Sequence, residues 1–175
     1  MDHKSSSNIK IHIQPEFLPV VSESELTQVV VDTLHQERNV SESHVSVVIT
    51  DDEEINRLNK QFRGIDRTTD VLAFGFQTQG LFYGSGPSSS SWNENEPFIL
   101  PPEASQLLDL GEIFISFHQA ERQANSSNIS TQKELHHLLS HGVLHLLGYD
   151  HRNPNEEHEM NLKIDKALSN GFGNA

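Results

Sequence analysis

Residues 141–151 read HGVLHLLGYDH: three histidines spaced by apolar side chains, with Gly148 between the second and the third. On an α-helix, His141 and His145 differ by roughly 40° in direction and about 6 Å in rise, so both imidazoles reach toward one point. Gly148 predicts the end of that helix, because glycine accepts the left-handed backbone that commonly follows a last turn. His151 then turns back toward the other two instead of continuing along the axis. Three neutral imidazoles satisfy zinc and leave a fourth position for water, which makes His141, His145 and His151 candidate Zn2+ ligands. The chain has no cysteine, so any metal must be held by nitrogen and oxygen. Asp150 is the nearest fourth ligand for a closed structural site, and spacing does not separate that site from an open one. Two packed helix histidines and a solvent-facing loop histidine would be the plain alternative. It suits any one of the three better than it suits the trio.

Upstream, ELHHLLS extends the same helical period, with a start at Ser130 or Thr131 and a capping box of Thr131 with Glu134. His137 lies four residues before His141 and is a candidate for support or an alternative register. His136 falls off that face and reads as packing or surface. His118 and His158 are weaker candidates. Downstream, Asn153-Pro154 opens a final helix whose apolar face is Met160, Ile164, Ala167 and Leu168, and residues 169–175 read as a frayed tail.

Toward the N-terminus, strands and helices alternate. Strands are expected at Ile9–Ile13, at HVSVVIT ending on Thr50, at Asp70–Phe76 and at Glu112–Phe117. Ser22 with Glu25, and Thr50 with Glu53, predict two further helix starts. Gly75 suggests a bend or close approach. Residues 77–103, rich in glycine, serine and proline, read as a flexible surface insertion. The expected fold is one α+β domain over residues 1–175, with a mixed, mostly parallel four-stranded sheet surrounded by helices and a zincin-like three-histidine site. No stretch approaches a transmembrane span and the N-terminus lacks an apolar core, so a soluble, cytoplasmic protein is expected.

A metzincin-type protease would carry HExxHxxGxxH, but Gly142 stands where that motif places its glutamate base, which disfavours peptide hydrolysis. Taken together, the residues resemble the YbeY family of bacterial endoribonucleases. HGVLHLLGYDH fits that family's metal motif, LNKQFRGIDRTTDVLAF matches over residues 58–74, and GEIFIS matches over residues 111–116. The resemblance implies that His141, His145 and His151 bind one zinc ion and that Arg63 is the functionally important arginine. It also implies single-strand-specific, metal-dependent cleavage of ribosomal RNA in rRNA maturation and ribosome quality control. Ala73, Gly75 and Glu112 depart from the common serine, proline and aspartate of the family.

The net charge of −13 opposes nonspecific nucleic-acid binding by the whole surface. Of 12 basic residues, Arg57, Lys60, Arg63 and Arg67 fall within eleven positions. A solvated helix face paired with the acidic run Asp51–Glu54 is the plain alternative for most of that strip, whereas Arg63 suits bidentate contact with phosphate. For the proton acceptor, Glu112, Asp70, Asp150 and His137 remain open, as does the choice of water or a ribose 2′-hydroxyl as nucleophile. Few aromatics stand in a recognition pattern, which argues for backbone contacts over base contacts. The expected partners are single-stranded ribosomal RNA and a ribosome or ribosomal protein, without membrane or DNA. A metal-stabilised ribosome-binding assembly factor with weak or conditional nuclease activity is the alternative.

Overall fold

The structure, a computed structural model, describes residues 8–36, 43–76, 82–83, 108–149 and 153–171. Five strands form one sheet in the order β1-β2-β5-β3-β4. They are β1 (Asn8–Ile13), β2 (Ser43–Thr50), β3 (Val71–Gly75), β4 (Phe82–Tyr83) and β5 (Leu108–Ser116). β1, β2 and β5 run parallel; β3 is antiparallel to β5 and to β4. The four long strands are those the sequence predicts. The fifth is a two-residue edge strand inside the segment expected to be a flexible insertion, and the rest of 77–103 lies outside the described residues. No alternation over so short a run could have announced it.

Side-chain alternation gives the sheet two different faces. Val45, Val47, Ile49, Val71, Ala73, Ile113 and Ile115 point to one side, into a core shared with helices α1 (Glu23–Leu34), α3 (Phe117–Ser127) and α4 (Thr131–Leu146). Leu72, Phe74 and Phe114 point to the other, where α2 (Asp52–Arg63) covers them with Ile55 and Leu58. α5 (Pro154–Gly171) lies against α4, placing Met160 and Ile164 on Leu144. Burying each such large aliphatic side chain contributes roughly 1.5–3 kcal/mol. A buried hydroxyl pair, Ser140 with Thr33 at 3.0 Å, pins α4 to α1 one residue before His141.

Helix starts follow side-chain oxygens, with two displacements from expectation. Ser22 caps α1 by accepting from the Glu25 N–H. Asp51, not Thr50, caps α2, accepting from Glu54 N–H at 2.8 Å, while Thr50 stays in the strand. Ser130 caps α4 through Lys133 N–H, so no capping box of Thr131 with Glu134 forms. In each case the residue in extended backbone just before the helix takes the cap. β5 also begins earlier than expected and stops at Ser116, whose hydroxyl caps α3, so Phe117 is helical. α5 continues through Gly171, past the point where the tail was expected to fray, and Ser169 Oγ donates back to Asp165 O at 2.7 Å.

The close approach attributed to Gly75 belongs to its partner. Gly75 pairs with Gly111, which has φ +133° at a shift in register between β2 and β5. A Cβ on Gly111 would lie 1.9 Å from the Phe74 carbonyl oxygen, so only glycine fits.

Candidate metal centre

α4 ends in two bonds that depend on Gly148 at φ +94°. Gly148 N–H donates to His145 O at 2.9 Å and Tyr149 N–H to Leu144 O at 3.0 Å, the paired bonds of a Schellman motif. Tyr149 packs with Leu144, the hydrophobic contact that accompanies the motif, and Lys163 Nζ lies 4.9 Å from the centre of its ring. The turn carries the Tyr149 carbonyl back onto the helix, 2.8 Å from His145 Nδ1. A carbonyl only accepts, so His145 Nδ1 bears the proton and its Nε2 carries a lone pair.

That Nε2 lies 2.8 Å from His141 Nε2. With the tautomer of His145 set by Tyr149, His141 donates the proton of this contact. Two imidazole nitrogens that share a proton are also placed to share a cation, since both interactions need their lone-pair directions to converge. His145 is buried and His141 half-buried, so the pair has one side toward solvent. The donor set fits zinc: nitrogen ligands, one oriented by a backbone carbonyl behind it. His151, the third expected ligand, lies outside the described residues, as does Asp150. Among the described residues no group of three metal-ligating side chains converges.

The same face of α4 continues to Glu134 and His137. The His137 ring is stacked 6.4 Å from that of His141. Burial raises the Glu134 pKa, His137 lowers it, and the carboxylate of Asp70 raises it further. Glu134 had a role in the sequence only as a cap partner. Its position seven before His141 was the overlooked signal. The Tyr149 carbonyl could not have been found, since backbone groups leave no mark in a sequence.

Other candidates are sorted by the sheet. Glu112 alternates with Ile113 and belongs with Phe114 to the α2 face, away from α4. Asp70 is buried and accepts from Val71 N–H at 2.8 Å, Thr69 Oγ1 and Gln123 Nε2. His118 packs on Phe17, with ring centres 5.3 Å apart. His136 is buried at the α1–α4 contact, 3.5 Å from Glu25.

Arg63 closes α2 and is half-buried, donating from Nη1 to Asn59 Oδ1 at the long limit of 3.5 Å. Burial, and then the charge of Arg67, pull its pKa below the usual guanidinium value. Of its strip, Arg57 pairs with Glu54, as expected from the acidic run, whereas Lys60 pairs with Asp66 beyond the helix instead of with that run.

A family profile described as Endoribonuclease YbeY matches residues 10–171. The chain belongs to the YbeY endoribonuclease family. Membership makes it an enzyme of the nuclease class. It is 37% identical over 160 residues to Endoribonuclease YbeY of Dehalococcoides mccartyi, covering 91% of this chain and 90% of that one. Against the Endoribonuclease YbeY of Shouchella clausii the identity is 39% over 171 residues, covering 95% and 96%. The solution structure of TM1509 from Thermotoga maritima superposes with a TM-score of 0.52 at 25% identity, covering 93% of this chain and 90% of that one.

Proposed function

We propose that this YbeY protein is a zinc-dependent endoribonuclease, specific for single-stranded RNA, that acts in the cytoplasm on ribosomal RNA during ribosome maturation and quality control. The observation that carries the reading is the convergence of His141 and His145 at Nε2, with His145 oriented by Tyr149 O. His141, His145 and His151 hold the ion. Zinc bound there supplies Lewis-acid stabilisation for charge on a phosphoryl oxygen.

The chain's own residues supply the rest. The Tyr149 carbonyl keeps the His145 ring from rotating and keeps its Nε2 unprotonated. Arg63 donates to nonbridging phosphate oxygens and stabilises the charge that grows on them as the phosphorus becomes five-coordinate. His137 is the proton acceptor for the attacking hydroxyl. Of the described candidates it alone combines an exposed ring with a place beside His141, whereas Asp70 is spent on structural bonds and Glu112 faces α2.

The test is digestion of single-stranded and duplex ribosomal RNA fragments by zinc-loaded protein, with analysis of product ends. A 2′,3′-cyclic phosphate identifies attack by the ribose hydroxyl; a simple phosphate monoester with no cyclic precursor identifies water. His145→Ala should remove both zinc and cleavage. Arg63→Ala should lower cleavage by at least about a hundredfold while zinc content stays near one per chain. Parallel loss of zinc and cleavage in Arg63→Ala would make that residue structural. Zinc-loaded protein that never cuts RNA, yet unfolds when the metal is removed, would leave a metal-stabilised ribosome-binding factor.

A further inference from the structure

Asn59 stands one turn before the end of α2, within the stretch that carries the family resemblance, and is 1% exposed. A polar side chain so buried has lost its water, and hydrogen bonds within the protein must offset that loss. Its Nδ2 donates to Arg67 O at 2.8 Å, and its Oδ1 accepts from Arg63 Nη1 at 3.5 Å. A carbonyl only accepts and a guanidinium only donates, so both contacts fix the same orientation of the amide. A flipped amide would set oxygen against oxygen and NH2 against guanidinium. Aspartate has no donor for Arg67 O, serine is shorter, and glutamine is longer by a methylene. The place calls for asparagine.

The same residue folds the chain back beside the helix. Gly64, at φ +69°, ends α2, and Ile65 N–H returns to Asn59 O at 3.4 Å. Lys60 pairs with Asp66 at 2.6 Å across the same turn. Arg67 thereby comes back to Arg63, near enough that its charge helps depress the Arg63 pKa. Like charges repel, so this turn needs ties that hold it closed. The Asn59 amide is a tie that touches both arginines, one by its backbone and the other by its guanidinium. A guanidinium has five N–H donors, so a bond to Asn59 is compatible with a two-bond grip on phosphate. That bond is long, as catalytic hydrogen bonds commonly are before the substrate arrives.

We propose that Asn59 is a positioning residue for RNA cleavage: its amide aims Arg63 at the scissile phosphate and keeps Arg67 beside it for the neighbouring phosphate of the strand. This role rests on the RNA-cleaving reading and leaves Arg63 where that reading puts it. Asn59 itself touches no reacting atom. It acts on the cleavage step through Arg63, and on the grip of the strand through the turn that carries Arg67.

The experiment measures single-turnover cleavage of a single-stranded ribosomal RNA fragment by a saturating excess of zinc-loaded full-length protein. Wild type, Asn59→Asp, Arg63→Ala and the double variant are compared. Asn59→Asp keeps the size of the side chain, turns away Arg67 O and sets a carboxylate against Arg63, in competition with phosphate. It should slow cleavage roughly 10- to 100-fold while zinc content stays near one per chain. In Arg63→Ala, the same substitution should change the rate by less than about twofold, because the group it positions is gone. A merely structural asparagine would cost the same factor in both backgrounds. That outcome overturns the proposal, as does an Asn59→Asp protein that cuts at the wild-type rate.

Asn59→Ser, which removes the amide without adding charge, repeats the comparison if Asn59→Asp does not fold. Failure of both variants to fold would assign the amide to stability alone and overturn its positioning role. The two readings fail separately. A zinc-loaded wild type that cuts no RNA rejects the nuclease, and the comparison is then made on binding of the same strand, fluorescently labelled. Asn59→Asp should weaken that binding severalfold in wild type and by less in Arg63→Ala. Equal weakening in the two backgrounds would reject Asn59 as well.

Discussion

Gly148 adopts φ +94°, and the two backbone bonds made possible there bring Tyr149 O onto His145 Nδ1. A side chain at that φ is strained, so Gly148→Ala should cost about 1–3 kcal/mol of stability. The more telling consequence is at the metal. With the turn displaced, His145 loses the acceptor that orients it, and zinc affinity should fall roughly 10- to 100-fold. Chelator-competition titration beside a thermal melt checks both, and unchanged affinity in a destabilised protein would show that the carbonyl does not tune the ligand. Gly142 plays a different part. A Cβ there would lie 3.0 Å from Ile113 Cγ2, so the position faces the sheet and not the ion. A glutamate at 142 would therefore bury its carboxylate against Ile113, which gives the departure from the protease motif a packing reason.

Among the elements, α1 and α4 are joined by a polar contact whose strength depends on pH. His136 is buried with its ring 3.5 Å from Glu25, and Gln132 Nε2 also donates to Glu25. Burial lowers the His136 pKa, outweighing the attraction of Glu25. A histidine with a depressed native pKa adds stability above its unfolded value, near 6.5, and that stability is lost as the pH falls through the native value. Melting temperature should therefore fall as the pH drops below about 6.5, and less steeply in His136→Gln. Parallel slopes in the two proteins would remove His136 as a source. Asp51 and Asp52 act at lower pH. Hydrogen bonds from Glu54 N–H lower the first; Ser116 and Arg122 lower the second against its burial. Their contribution is lost only below the ordinary carboxylate range.

Elements also show what could be read in advance. The long strands and helices α1, α2, α4 and α5 follow from alternation, period and cap signals, because half-buried surfaces force those patterns. Cap identity does not. Thr50 and Asp51, or Ser130 and Thr131, are chemically interchangeable as caps, and the end of the preceding strand or turn decides between them. The histidine pair was legible because four residues of helix fix two directions. Arg63 was recognised by resemblance, while Glu134 depended on which residues of α4 share a face with His141.

For the whole molecule, a charge of −13 and an RNA substrate are reconciled by distance. At 0.1 M salt the Debye length is about 10 Å, so a phosphate at Arg63 and Arg67 is largely shielded from acids across the protein. What remains is local: two guanidiniums, each displacing counterions from one phosphate. Single strands release about 0.7 ion per neutralised phosphate, so log affinity against log salt should have a slope near −1.4. Arg67→Gln should halve it to about −0.7 while leaving zinc content and the melting temperature unchanged, since Arg67 is exposed and no carboxylate among the described residues depends on it. Anisotropy titrations of a single strand across a salt series measure both slopes. A slope several times steeper would mean that the strand contacts many more cations than this pair. An unchanged slope in Arg67→Gln would place the phosphates elsewhere on the surface.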